Sequence, residues 1–497
     1  MPETPIPGNP KIQDRAVPSS DPCRPVIVWF RSDLRVADHP ALDRAAATGC
    51  PVLPFFILDE GEPGPRAPGG ASRWWLHHSL AALAGDLEAI GSRLILRRGD
   101  AADVLSDLIR ETNAGSVVWN RRYDPGSIAR DTEIKNSLKS RDVEAESFNA
   151  SLMYEPWEIK TKAGSWYKVY TRFWQACRDA GDPPPPTEAP RALASPDAWP
   201  DSEGLADWDL CPSAPDWAGG LRDMWQPGSA GAMERLADFL DGGIESYADD
   251  RDFPGKPATS GLAAHLAWGD IGPRQIWHAA LSRAPGGKGR ETFLKELVWR
   301  EFAHHVLFHF PDLAKTPMDT KFQAFPWQPD DERLRAWQQG LTGYPVVDAG
   351  MRELWATGTM HNRVRMITAS FLVKHLMQPW QAGEAWFWDT LVDADAASNP
   401  FNWQWVAGCG ADAAPFFRIF NPILQGEKFD RDGAYVRRWV PEVAALPDKY
   451  LHAPWSAPDH VLSDAGLVLG RDYPAPIVSH KAARDHALAA FKALKSG

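Results

Sequence analysis

Two carboxylates, Asp393 and Asp395, stand two residues apart in DADAASNPFNWQWVAGCGADAAPFFRIFNP (393–422), just ahead of Asn399 and the triplet Trp403-Gln404-Trp405. Paired acids of this kind fit a glycoside-cleaving acid/base pair, acceptors for a bound ligand, or a helix-capping loop. Spacing alone leaves all three open. Asn362, Arg365 and Met366 fall at i, i+3 and i+4 of a helical pattern, so one face carries an amide, a guanidinium and a thioether. Residues 357–375 contain no acid. Cations at a helix start oppose the macrodipole, a local cost that function is one reason to tolerate; a solvated basic turn is the other reading. Glu296 and Arg300, with Trp299 beside them, have the spacing of a surface ion pair. His305 and His309 share that spacing but lack a third ligand, so no metal site is expected. Thr259 and Ser260 precede a helical pattern, where hydroxyls and free N–H groups make either an anion site or a simple N-cap.

These residues need elements to hold them. VIVWF (26–30), PVLPFFILD (51–59), RLILRRGD (93–100) and SVVWNRRY (116–123) are apolar runs. They alternate with the helix-like segments DHPALDRAAATG (38–49), SRWWLHHSLAALAGDLEAIG (72–91) and AADVLSDLIRETN (101–113). The alternation predicts a doubly wound parallel sheet with crossover helices, whose ligands sit beyond the carboxyl ends of the strands. No GxGxxG follows the first strand and no GxxxxGK[ST] occurs, which disfavours the usual dinucleotide and P-loop chemistries. A Pro-rich linker, DPPPPTEAPRALASPDAWP, spans 182–200, and beyond about residue 230 the pattern is helical. The expected layout is a disordered leader (1–24), an α/β domain (25–150), a linker (151–229) and a large helical domain (230–497).

With 497 residues, 44% of them hydrophobic and 24% charged, the chain is globular and multidomain. It has no apolar run long enough to span a membrane, and its Pro-rich N-terminus lacks a secretory h-region. Five scattered cysteines without a CxxC pair suggest a reducing compartment, here the cytoplasm, and no zinc. A net charge of −12 argues against generic coating of nucleic acid, so any DNA binding must come from a local patch. The 24 tryptophans suit cores, stacking surfaces and cation–π contacts alike.

Read in order, WFRSDLRVADHPAL, TSGLAAHLAWGDIGPRQ, KELVWREF, GYPVVDAGMREL, MHNRVRMITASFLVKH and the 393–422 stretch resemble the photolyase/cryptochrome family from Val26 to about Pro454. The match is best with photolyases of cyclobutane pyrimidine dimers. NRRYDPGSIARD and WVAGCGADAAPFFRIFNPILQGEKFD look similar to the bacterial class III branch, with class I as the alternative. The resemblance implies a helical domain holding FAD, in working form FADH⁻, that repairs pyrimidine dimers in DNA by light-driven electron transfer. It implies that Tyr247 and the segment Thr259, Ser260, Gly261, Leu262 and Ala263 contact the cofactor's phosphates and ribityl chain, with Phe293 near its adenine. Asp393, Ala394 and Asp395 would reach the isoalloxazine and folded adenine region, Arg365 would pair with Asp393, Arg300 would also lie on the cofactor, and Asn399 would face flavin N5. Photolyases usually carry Asn at that last position and plant cryptochromes Asp, which favours repair over a blue-light receptor that binds FAD without repair.

By the same resemblance Trp299 and Trp405 wall the lesion, Glu296 and Asn362 meet its carbonyl edge, and Met366 packs beside it. Arg251, Arg363 and Arg418 would contact DNA phosphates, and Trp403, Trp380 and Trp327 would relay electrons to the flavin. Two departures stand out. The phosphate segment TSGLA has Gly261 and Ala263 where relatives carry a cation and a hydroxyl. The class I folate pair aligns with Gly126 and Ser127, leaving Glu155 as the candidate for an antenna, implied to be methenyltetrahydrofolate. The expected partner is dimer-containing DNA, bound by a monomer.

Overall fold

The computed structural model describes residues 23–61, 64–283, 286–413 and 417–496; nearly all of the 1–24 leader lies outside them. Strands β1 (Val26–Phe30), β2 (Val52–Leu58), β3 (Ile95–Arg98), β4 (Ser116–Asn120) and β5 (Glu144–Phe148) form one parallel sheet in the order β3-β2-β1-β4-β5. Helices α1 (Pro40–Ala46), α2 (Gly70–Ala89), α3 (Ala101–Thr112) and α4 (Pro125–Ser140) supply the crossovers. The period-2 geometry of a strand sends alternate residues of β1 to opposite faces. Val26, Val28 and Phe30 pack with Leu76, Leu80 and Leu83 of α2, while Ile27 and Trp29 pack with Leu105 of α3 and Ile134 of α4. The doubly wound sheet is as expected. Its edge strand β5, EAESF, has no apolar run and so left no strand signal in the sequence.

The 151–229 stretch is more than a tether. It contains the helix Tyr170–Ala180, whose Tyr170, Phe173 and Cys177 enter the core of the helical domain. Farther along, Leu193, Trp208 and Leu210 enter the core of the sheet domain. The Pro-rich 182–200 segment itself has neither helix nor strand. A disulfide joins Cys23 to Cys50, against the expectation drawn from a reducing compartment. The two residues are far apart in sequence, yet β1 and β2 begin side by side, and only the sheet register brings them together. No helix among the described residues is long and apolar enough to cross a membrane.

The helical domain is organised around the 22-residue helix Lys288–His309, which buries Phe293, Leu297, Val298, Phe302 and Val306. Packed near it are Asn362–Ser370, which continues as a π-turn over Phe371–His375, then Trp380–Thr390 and Ser398–Ala407. Each large apolar side chain fully buried here contributes roughly 1.5–3 kcal/mol, which makes these four helices a rigid frame for what they face.

Candidate functional site

The frame encloses a cavity of about 450 Å³, within the size range of cofactor sites. Tyr247, Ser260, Leu262, Ala263 and Phe293 line one part of it. Arg300, Arg365, Asp393, Ala394, Asp395 and Asn399 line another. Arg251, Glu296, Trp299, Asn362, Met366 and Trp405 line a third, and Trp403 also reaches its wall. Residues from four separate motifs therefore share one space.

The two acids of the 393–395 segment have separate roles. Asp393, 8% exposed in its side chain, receives two bonds from Arg365, at 3.1 Å from Nη1 and 2.9 Å from Nη2. Asp395 accepts from the backbone N–H groups of Ala397 and Ser398, at 2.8 and 2.6 Å, and so caps the Ser398–Ala407 helix. One acid is neutralised by a guanidinium and the other by helix amides, which does not suit an acid/base pair for glycoside cleavage. Asn399 donates through Nδ2 to the Glu384 carbonyl at 3.0 Å and to Glu384 Oε1 at 2.8 Å.

The expected Glu296–Arg300 pair does not form. Glu296 is ion-paired to Arg251, which also lies over the Tyr247 ring at 5.2 Å. Arg300 instead donates to the Ser151 carbonyl at 2.7 Å. Arg363 pairs with Asp252 at 2.7 Å and lies over the Phe429 ring, outside the cavity, on a separate groove that Lys428 shares. Arg418 is exposed, and Lys374 donates to its backbone carbonyl. His305 accepts from the Tyr167 N–H at 3.1 Å, and His309 stacks on Trp166.

Trp299 is held by a ring that the motifs did not reveal: Tyr170 stacks on it, with centroids 3.6 Å apart and planes 7° apart. Trp405 is fixed by its Nε1, which donates to the Asp412 carbonyl at 3.1 Å. Trp403 packs against Phe387 at 5.0 Å and Trp337 at 6.2 Å. Gly383, one turn beyond Trp380, makes room for it, since a Cβ there would come within 2.1 Å of the Trp403 ring. Trp380 is buried in the same core, and Trp327 lies partly buried at its edge against Phe325.

At the phosphate segment, Ser260 accepts from the Leu262 N–H at 3.4 Å, while Thr259 is exposed and, like Gly261, is not in the cavity lining. Gly261 has φ +64, a left-handed conformation, and a Cβ there would meet Arg235 Nη1 at 2.8 Å. A guanidinium from the Ser229–Asp238 helix thus stands where a side chain at 261 would project.

A second cavity, of about 150 Å³, lies between the domains at the carboxyl ends of β1, β2 and β4. Trp29, Arg31, Asp59 and Tyr123 border it on the sheet side, and Arg300, His304, Trp388 and Asp395 on the helical side. Glu155 is buried close by: it accepts from Arg121 Nη2 at 2.5 Å and from the Tyr123 hydroxyl at 2.8 Å, and burial pushes its carboxyl up. Gly126 has no room for a side chain, because a Cβ would lie 1.8 Å from the Gly64 carbonyl oxygen. The loop carrying Gly64 therefore closely approaches the start of α4. No cluster of three or more potential metal ligands occurs among the described residues.

Residues that fit a flavin dinucleotide are present: aromatic and apolar walls, a guanidinium–carboxylate pair and an oriented amide. Comparison with known proteins agrees. Residues 293–493 match the family model described as the FAD binding domain of DNA photolyase, and residues 26–191 match the DNA photolyase model. A deoxyribodipyrimidine photo-lyase of Agrobacterium fabrum is 54% identical over 473 residues, covering 95% of this chain and 98% of that protein. Cryptochrome-1 of Arabidopsis thaliana is 40% identical, covering 91% of this chain and 68% of that one. The crystal structure of a bacterial class III photolyase from Agrobacterium tumefaciens superposes with a TM-score of 0.93 at 53% identity, covering 97% of this chain and 100% of that one. With the cavity, the paired motifs and these similarities together, the chain belongs to the photolyase/cryptochrome family, as an FAD-domain DNA photolyase rather than through the more distant cryptochromes.

Proposed function

We propose that this chain splits cyclobutane pyrimidine dimers in DNA, acting as a monomer. Bound and reduced, FAD supplies the light absorption and the electron, which returns after the ring opens. The observation that carries this reading is the shared cavity: Trp299, Trp405, Asn362 and Met366 face the same space as Arg365, Asp393 and Asn399. A dimer flipped from the duplex, where pairing is already weakened, stacks on the two indoles, each contact contributing roughly 1–3 kcal/mol. Asn362 and Glu296 meet its polar edge. Arg251 holds Glu296 until the lesion arrives and is then available to a flanking phosphate. Arg365 pairs with Asp393 and places a cation beside the cofactor, where low dielectric strengthens its effect on an anionic ring. Arg363 and Arg418 contact DNA phosphates from the rim. Trp403, Trp380 and Trp327 provide a path for photoreduction.

An antenna pigment, methenyltetrahydrofolate by resemblance, fits the interdomain side of the molecule. Support comes from the position of the second cavity at the sheet's carboxyl edge and from the buried carboxylate of Glu155 nearby. The test is direct. Purified, fully reduced protein is illuminated with single-stranded DNA carrying one dimer; loss of the dimer in light and not in darkness is expected. Reduced, flavin-loaded protein that leaves the dimer intact under light would reject the function.

A further inference from the structure

Glu384 stands behind the cavity wall, 4% exposed, on the Trp380–Thr390 helix. Its counter-charge comes from the other domain. Arg66, in the loop between β2 and α2, places Nη1 2.8 Å from Oε1 and 3.0 Å from Oε2. Three further contacts pin that loop to the helix. The Arg66 guanidinium lies 4.3 Å over the Trp388 ring, Trp388 Nε1 donates to the Ala67 carbonyl at 2.8 Å, and the Gly70 N–H donates to Asp389 Oδ1 at 2.8 Å. On its other side Glu384 accepts both bonds from Asn399 Nδ2. A carbonyl and a carboxylate can only accept, so the Asn399 amide must turn its NH₂ group to Glu384 and its oxygen to the cavity.

We infer that Arg66 is a positioning residue: by holding Glu384 as a carboxylate, it fixes the Asn399 amide with its oxygen toward the flavin site. The inference rests on the proposed placement of Asn399 beside the flavin. Burial pushes the Glu384 carboxyl up, and Arg66 and the Asn399 bond oppose that push. Without Arg66 the carboxyl takes up a proton. The bond from Asn399 to Oε1 then loses its charge assistance, about half its strength, and the new O–H competes for the amide oxygen. A reduced flavin carries a proton on N5 and calls for an acceptor, whereas an oxidised one calls for a donor. Arg66 therefore favours the reduced form from across a domain boundary. Plain interdomain adhesion is the competing explanation, and it predicts lost thermal stability alone.

Holoprotein carrying R66M, R66K or R66M/E384Q is compared with wild type and E384Q. Arg66 is 41% exposed, so its replacement leaves no sealed void. Infrared spectra should show a protonated carboxylic acid band in R66M that is missing from wild type, R66K and R66M/E384Q. Chemically reduced flavin in R66M should reoxidise in air several-fold faster than in wild type. R66K should restore the wild-type rate, because a single nitrogen makes both bonds. R66M should add nothing in the E384Q background, since the two residues act through one contact. A lowered melting temperature in R66M with no new acid band and an unchanged reoxidation rate would overturn the inference. N399A separates the two ideas. If N399A alters reoxidation and R66M does not, the inference fails while Asn399 keeps its place; if neither alters it, the placement fails and takes the inference with it.

Discussion

The Lys288–His309 helix runs past both cavities, and its two halves treat charge differently. In the first half Glu296 is half-buried and paired with Arg251, from a different segment. The same pattern recurs around the central cavity and its rim, in Arg365–Asp393 and Arg363–Asp252. In the second half Glu301 and His305 meet the 151–170 stretch and His304 borders the interdomain cavity, and burial favours the neutral form of each. Glu301 is 3% exposed, accepts from the Met153 and Tyr154 N–H groups at 2.9 and 3.2 Å, and is pushed up to about 7 by burial. Burial pulls His304 and His305 down to about 4. Paired charges can exchange a partner for a ligand's polar groups, so the first half suits recognition. Groups whose neutral form burial favours, such as Glu301 and His305, offer less charge for recognition and here anchor the 151–170 stretch.

Removing one member of a cavity pair should have the largest effect. R365A leaves Asp393 buried without its partner, a loss of about 3–5 kcal/mol for a truncated buried pair. Purified R365A should be nearly colourless, read as flavin absorbance relative to protein absorbance. Full flavin content would mean that the pair is structural and not part of the cofactor site. The opposite behaviour is expected in the second half of the helix. With a folded-state value of about 7 against an ordinary 4.5, Glu301 binds more protons in the folded chain than in the unfolded one across that window. Stability therefore falls as pH rises through it. E301Q keeps an acceptor for the two N–H groups and should abolish the fall, gaining about 1–3 kcal/mol near pH 8 in denaturant titrations and little near pH 4. An unchanged pH slope would show that Glu301 is not the group responsible.

W405A should weaken binding of dimer-containing DNA by about 10- to 100-fold, equivalent to roughly 1–3 kcal/mol of lost stacking, with flavin content retained. Equal weakening on undamaged DNA would place Trp405 outside the lesion pocket. The smallest effect is expected at the rim. R418A should lower the slope of log affinity against log salt by about 1 on damaged and undamaged DNA alike. A loss confined to damaged DNA would move Arg418 into the lesion site.

The two halves also differ in how far they can be read from sequence. Helical spacing places Asn362, Arg365 and Met366 on one face, and all three line the cavity. Spacing misleads at Glu296, where it points to Arg300 four residues on. The partner is Arg251, 45 residues away, because the Ile244–Asp250 helix packs beside Lys288–His309. Long-range contacts of this kind leave no local period. Arg66, Glu384 and Tyr170 belong to no motif; Glu384 and Tyr170 each touch a residue that does, and Arg66 reaches one only through Glu384. The Asp252 partner of Arg363 is hidden in the charge run ADDRDF, where any of the acids reads as solvated surface. The interdomain cavity is assembled from the ends of three strands, helices of both domains and the 394–396 segment, so no single window of sequence announces it.

The central claim is that cofactor and lesion occupy one cavity. Quenching of the reduced flavin's fluorescence on titration with single-stranded DNA, with and without one pyrimidine dimer, tests it most directly. Strong quenching by the dimer strand alone, lost in W405A at the same DNA concentration, is predicted. Equal quenching by both strands, or none by the dimer strand under conditions where it binds, would contradict the claim.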